Sequence, residues 1–368
     1  MRKKFWVIKM TENVYKKLAR RLDSMPNGFP ETDSGVELRL LEKIFTPDEA
    51  ELFSEMRLTP ESATEIAQRT GRDPAKTTNL LMIMMQKGQI LPIMDGGQLK
   101  FSLLPFAYLG VYDFWAKIDE EFAQLFEEYY PTFGERLLGY SPPQFKVVPI
   151  EKTIPVEVQV FPYEQASELL NYAKSFGVRK CICKTQKELV GESCEYPKEV
   201  CVIFAPIEGA FNNDPKTRVL TKEEALKILQ KAGEAGLIHS AANIREGHMI
   251  ICNCCTCCCG IMRGISQLGL ENSVAKSDFF AKVDSENCTG CKMCMERCQF
   301  GAVSMKDNVA CVDQKRCVGC GQCVIACSYG AMSLVRKPED QLTLPPQNIQ
   351  EWMMKRALDR GISLQDIL

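Results

Sequence analysis

Polar and apolar positions divide the chain into a helical first third and a middle third of alternating strand-like and helix-like runs. Residues 1–35 read as a helical extension. Helical runs follow at Val36–Phe45 and Pro47–Met56. Thr59-Pro60 opens another, Ser62–Thr70, which Gly71 ends. Asp73-Pro74 caps the next, Ala75–Lys87, because Asp is a good N-cap and Pro suits the first helical position. Ile90–Met94, the turn Asp95-Gly96-Gly97 and Gln98–Leu103 then read as strand, turn and strand. An aromatic stretch, Phe106–Trp115, leads to a helix Ile118–Tyr130 with Phe122, Leu125, Phe126 and Tyr129 on one side. These aromatics suit an interdomain core.

Beyond the Pro142-Pro143 pair the period changes. Val156–Val160 alternates like a strand, and Ala166, Leu169, Leu170 and Ala173 give Tyr163–Ser175 helical spacing. Val200–Ala205 is a continuous apolar strand. Thr221 and Glu224 form a capping box that opens the helix Glu223–Ala235, and Gly236 closes it. Met249–Ile251 reads as a strand, Cys257–Cys259 as the entry to a helix, and Ile261–Leu268 as that helix. At the far end, Pro345-Pro346 precedes a helix carrying Ile349, Trp352, Met353 and Leu358, which folds back or clamps a partner.

Composition sharpens this outline. The 368 residues suit two or three domains at roughly 150 residues each. Lys and Arg number 45 against 47 Asp and Glu, which argues against a whole-chain polyanion binder. The unusual feature is 19 Cys beside 2 His, with every Cys between Cys181 and Cys327. The opening residues carry charge but no apolar run of export-signal length before Lys9, and Met10 is a candidate alternative start. No run approaches the roughly 18 apolar residues of a membrane span, so no membrane insertion is expected. The expectation is a cytoplasmic protein, whose clustered Cys read as metal ligands or redox thiols.

Two segments repeat at a spacing of 29 residues. Cys288, Cys291, Cys294 and Cys298 form the first C-x2-C-x2-C-x3-C array, and Cys317, Cys320, Cys323 and Cys327 the second. Three thiolates at that spacing wrap one corner of a cubane along an irregular loop, and Gly290 and Gly319 help it turn. Residues 280–336 resemble the bacterial two-cluster ferredoxins. The resemblance implies one [4Fe-4S] cluster on Cys288, Cys291, Cys294 and Cys327, and another on Cys317, Cys320, Cys323 and Cys298. It also implies single-electron transfer at low potential, on the order of −400 mV. The family's usual Pro after the fourth Cys is here Gln299 or Ser328, which points to altered rigidity or potential rather than lost clusters. A zinc ribbon on the same Cys is the competing reading. Across 276–336, eight basic residues face six acidic ones, as suits a built-in module rather than a free acidic ferredoxin. Cys311 stands outside the pattern, either as a small buried strand residue or with a redox role.

Ten further Cys lie upstream: Cys181, Cys183, Cys194 and Cys201, then Cys252, Cys254, Cys255, Cys257, Cys258 and Cys259. Three readings compete for them. They hold one or two additional Fe–S clusters, one structural zinc, or reactive thiols. His248 stands four residues before Cys252, close enough to line or ligate a site, and His239 follows an apolar turn. For both, a satisfied, partly buried His is the preferred reading. The whole arrangement resembles Cys-rich Fe–S proteins of anaerobes, a resemblance that implies no established activity.

Residues 36–105 resemble the winged helix-turn-helix domains of transcription regulators. Eight bases face ten acids there, whereas DNA affinity comes largely from phosphate neutralisation. The helix in the recognition position offers Lys76, Thr77, Thr78 and Asn79 and then turns apolar and Met-rich, as suits a docking surface. The expected fold class is multidomain α+β. It comprises a winged helix (36–105), a helical aromatic connector (106–150), a small α/β Cys-rich domain (151–275), a two-cluster ferredoxin-like domain (276–336) and a tail helix (337–368).

The expected function is electron transfer, as the relay subunit of an anaerobic oxidoreductase complex rather than a stand-alone catalyst. Its partner is a redox protein or that larger complex. Gly-x-Gly-x-x-Gly and P-loop patterns are absent, so flavin or nicotinamide chemistry belongs to the partner. Two alternatives remain open: a redox-responsive regulator with DNA as partner, and a Cys-rich reductase with its own active site in the middle domain.

Overall fold

The computed structural model describes residues 13–108, 110–114, 117–156, 158, 160–363, 365 and 368. It divides into two compact units, residues 1–136 with 361–368, and residues 137–360. The first unit begins with α1 (Val14–Asp23), α2 (Val36–Ile44) and α3 (Pro47–Glu55). After them come β1 (Glu61–Ser62), α4 (Ala63–Thr70), α5 (Pro74–Gln86), β2 (Leu91–Asp95) and β3 (Gln98–Ser102). The caps follow from the sequence. Ser62 and Glu65 make a reciprocal capping box on α4, Asp73 caps α5, and Gly71 ends α4 in the left-handed region that suits glycine. The small sheet has the antiparallel order β1-β3-β2.

Helices α6 (Val111–Phe114) and α7 (Glu120–Leu138) complete this part of the chain. The aromatic residues form a core inside the first unit instead of joining two domains. Phe106 packs against Phe29 (centroids 4.7 Å apart) and Phe133 (5.4 Å), and Tyr112 stacks on Phe126 at 4.6 Å. Leu109 and Trp115 of the predicted stretch lie outside the described residues. Helix α7 runs beyond the predicted Tyr130 and through Pro131, because Phe133 extends the buried aromatic face past the proline. Tyr129 donates to the Pro30 carbonyl at 2.9 Å, which satisfies a hydroxyl that burial keeps protonated.

The second unit begins with β4 (Phe145–Val147), α8 (Ala166–Leu169), β5 (Ser175–Lys180), α9 (Ile182–Leu189) and β6 (Glu199–Ala205). It continues with β7 (Arg218–Leu220), α10 (Lys222–Ala235), β8 (Ile238–Ala242), β9 (Ile250–Cys254) and α11 (Met262–Ser266). Its sheet is six-stranded and antiparallel, in the order β4-β8-β9-β6-β5-β7. Helix α10 buries Ala225, Leu229 and Ala232, one face at helical spacing. Ala225 and Leu229 share a core with Val202, Phe204 and Ile251 of the sheet.

Three predicted elements differ. Val156–Val160 forms no strand among its described residues: Val156 is exposed, while Val158 and Val160 pack on the C-terminal core. Glu157 and Gln159 lie outside the described residues. The predicted helix Tyr163–Ser175 shrinks to α8, because Lys174 N–H already pairs with the Ala205 carbonyl and Ser175 begins β5. Helix α11 is shorter than Ile261–Leu268, and Cys257 and Cys258 lie in a turn ahead of it rather than in a helix.

The C-terminal segment adds β10 (Phe279–Val283), α12 (Met293–Arg297), β11 (Val303–Lys306), β12 (Val309–Val312), α13 (Gln322–Ala326) and β13 (Met332–Arg336). Strand β10 pairs with β13 and β11 with β12, both antiparallel. The tail helix α14 (Ile349–Asp359) folds back. Trp352 donates to the Pro143 carbonyl at 3.0 Å, and buried Arg356 donates to the carbonyls of Leu137, Tyr140 and Pro142.

Phe106→Ala empties the centre of the aromatic core and is expected to destabilise the first unit by about 3–5 kcal/mol. Thermal unfolding of the full chain is expected to show an earlier first transition, with metal content unchanged.

Candidate metal centres

Two small cavities of similar size lie in the C-terminal segment. Cys288, Cys291, Cys294 and Cys327 line the first, and Cys298, Cys317, Cys320 and Cys323 the second. The last Cys of each array therefore crosses to the other array's cavity. Gly290 and Gly319 make the tight loops possible, both with positive φ. A side chain on Gly319 would sit 2.2 Å from the Phe279 carbonyl oxygen, and one on Gly290 2.4 Å from Asn308 Oδ1. Backbone N–H groups already face the sulfurs: Ala310 donates to Cys288 Sγ (3.4 Å) and Ala302 to Cys298 Sγ (3.3 Å). Such donors stabilise thiolate once a metal displaces the proton. Burial alone works the other way, and pushes Cys320 up to about 12.

The ten upstream thiols sort differently from their order in the chain. Cys194 joins Cys255, Cys257 and Cys258, and these four sulfurs lie within 4.8 Å of one another. Hydrogen bonds from Cys257 and Cys258 hold the Cys255 thiol down to about 2, so it is a ready thiolate. The other six form a ring of neighbouring thiols. Cys181 meets Cys183 and Cys201; Cys252 meets Cys201 and Cys254; Cys259 meets Cys254 and Cys183. Strand register explains half of this ring. Val202 of β6 faces Ile251 of β9, so one step further Cys201 faces Cys252, and Cys254 lies on the same face of β9. Cys181 sits at the N-cap of α9.

Lys184 is buried between the two sets, and its charge favours thiolate at both Cys181 and Cys255. Its Nζ donates to the carbonyls of Pro197 (2.8 Å) and Asn253 (3.4 Å). The two His are satisfied elsewhere. His239 Nδ1 pairs with Asn253 Oδ1 at 2.5 Å, His248 bonds the backbone of Ala242 and Ile244, and burial pulls each down to about 4. Both stay neutral at physiological pH. Cys311 lies on β12 as expected of a strand residue, but it is exposed rather than buried.

The two regions are joined directly. Gln299, beside Cys298, accepts from the Thr256 N–H at 2.9 Å and donates to the Gly236 carbonyl at 2.5 Å. Gln322 donates to the carbonyls of Gly233 and Leu237, and Arg297 to those of Gly233 and Glu234.

Residues 287–332 match the family model of the 4Fe-4S dicluster domain. The C-terminal region carries an iron–sulfur domain. No curated protein matches the chain. Within the iron–sulfur domain the donor set is all thiol and is supported by backbone N–H groups, which suits iron–sulfur ligation. No helix among the described residues is long and apolar enough to cross a membrane. Sequence reasoning singled out all the thiols but missed Lys184, Asn253, Thr256 and Gln322. A Lys one residue after Cys183, and a Gln where ferredoxins place Pro, were the available signals.

Gly319→Ala forces a side chain against the Phe279 backbone and is expected to lower iron and acid-labile sulfide per chain. Gly330→Ala has the same backbone handedness but nothing within 4 Å, so it is expected to cost only about 1 kcal/mol with full metal content. Anaerobic metal analysis with thermal melting separates the two.

Proposed function

We propose that the chain is an electron-transfer protein. The Cys288 and Cys320 cavities would hold clusters able to take up an electron on the exposed side and pass it toward the ring of six thiols. When bound, the clusters supply one-electron transfer at low potential. The ligand sets follow the crossed pattern, with Cys288, Cys291, Cys294 and Cys327 on one [4Fe-4S] cluster and Cys298, Cys317, Cys320 and Cys323 on the other. The two cavities' linings support that pairing.

The observation that carries this reading is the Gln299 bridge. Cys298 is peptide-bonded to Gln299, whose amide is hydrogen-bonded to Thr256, and Thr256 stands two residues from Cys254 of the ring. Covalent and hydrogen bonds thus run from one thiolate set to the next. Exposure supports the direction. Cys291 is exposed, and Met293 and Tyr329 beside it are more than half exposed, a surface suited to a redox partner. Cys317 and Cys323 of the other cavity are buried. The chain is then a relay subunit, and a larger oxidoreductase complex supplies the donor and the acceptor.

The first unit fits a docking role. Its order of helices and strands, with sheet β1-β3-β2, supports a winged-helix reading. Helix α5 exposes Lys76, Thr78 and Asn79, but also Ile83, and the acid excess weighs against DNA as the partner.

Gln299→Leu keeps the size of the side chain but removes both hydrogen bonds, at a cost of about 1–3 kcal/mol. Stopped-flow reduction of the full chain is expected to reduce the iron–sulfur domain at the original rate and the middle centre more slowly. An unchanged rate at the middle centre would sink the bridge.

A further inference from the structure

The spacing of the sulfurs distinguishes the two upstream sites. A tetrahedral ion with metal–sulfur bonds of about 2.3 Å holds its four sulfurs about 3.8 Å apart. Cys194, Cys255, Cys257 and Cys258 close to that kind of spacing, with Cys257 and Cys258 sulfurs 3.7 Å apart. In a cubane each thiolate binds its own iron, so the four sulfurs stand farther apart around a larger body. The iron–sulfur domain provides an internal comparison: among the described residues, its two cysteine sets do not close to within 4.8 Å. Neither does the upstream ring, although each of its thiols has two of the others as neighbours.

We propose that the middle region holds two different centres: a single zinc ion on Cys194, Cys255, Cys257 and Cys258, and a polynuclear iron–sulfur cluster inside the ring of Cys181, Cys183, Cys201, Cys252, Cys254 and Cys259. The inference deepens the electron-transfer reading and rests on its premise that these thiols hold metal. Six thiolates are more than one tetrahedral ion can use, and two would be left buried without a partner. A cluster of several irons can employ the whole ring.

The zinc then has a structural task. One loop serves both centres, because Cys254 and Cys255, and again Cys258 and Cys259, are chain neighbours divided between them. Adjacent Cα atoms are about 3.8 Å apart, so pinning Cys255 and Cys258 fixes Cys254 and Cys259. It also fixes Thr256, whose N–H donates to Gln299 in the bridge. Zinc is redox-inert, so the electron path ends on the ring.

The test is metal and sulfide analysis of the full chain, purified anaerobically, in the original form and in two variants. Cys257→Ser/Cys258→Ser is expected to lose about one zinc per chain and no iron. Cys201→Ser/Cys252→Ser is expected to lose about four or more iron with equal sulfide, and to keep the zinc. Zinc-edge X-ray absorption on the unmutated chain needs no variant to fold, and is expected to show four sulfurs at about 2.3 Å. Loss of iron and sulfide from the Cys257/Cys258 variant, or nitrogen or oxygen in the zinc shell, overturns this assignment and leaves the relay standing. About eight iron in all, with no further metal, overturns both.

Discussion

Every α-helix ends with carbonyls that have no partner in the helix itself. At the end of α10 those carbonyls are where the two thiol-bearing regions of the second unit meet. Gly233, Glu234, Gly236 and Leu237 receive hydrogen bonds from Arg297, Gln299 and Gln322, all side chains of the iron–sulfur domain. Gly236 is left-handed, and a side chain there would meet the Arg297 guanidinium at 3.2 Å. The same glycine therefore ends the helix and admits the neighbouring domain. Leu237, one residue on, is fully buried beside Cys255 and Cys258. Seating the iron–sulfur domain and shaping the upstream thiol site are consequently one packing problem.

The internal duplication makes this docking visible as asymmetry. Positions 29 residues apart should be interchangeable if the two halves did the same work. Gln322 is buried and bonded to the α10 end, whereas its counterpart Met293 is half exposed. Gln299 bridges to Thr256, whereas its counterpart Ser328 is exposed. Lys292 takes up the left-handed backbone that Gly321 occupies in the other half, where a side chain would strike Thr153. One half faces outward and the other faces protein. That difference gives the proposed electron path its direction.

Much of this was legible in the sequence, for local reasons. The caps at Asp73 and Thr221 and the stops at Gly71 and Gly236 depend on neighbours three or four residues away, and the structure has them as read, whereas Ser62, read as the first helical residue, is the N-cap of α4. The duplicated arrays are equally local. Sorting the ten upstream thiols is not, because it depends on which strands pair. Cys201 and Cys252 are 51 positions apart in the chain and meet only through the register of β6 with β9. Cys194 likewise leaves its sequence neighbours and joins the loop carrying Cys255. Val156–Val160 misled because alternation shows which residues are buried and not what buries them; Val158 and Val160 are half-buried against the iron–sulfur domain instead of in a ladder.

Buried charge supplies the last constraint. Thiolates gathered in a protein interior repel one another and lose hydration, so some cation must offset them. In the proposed centres a metal would do this within each set, and the strip between the sets has a charge of its own. Lys184 provides it, with its ammonium held by the Pro197 and Asn253 carbonyls and facing Cys181 on one side and Cys255 on the other. Asn253 in turn is fixed by His239 and by the Val200 carbonyl. Burial holds His239 neutral, so that imidazole adds no charge beside Lys184. The two thiol sets share one short loop, with Lys184 between them and the backbone joining them.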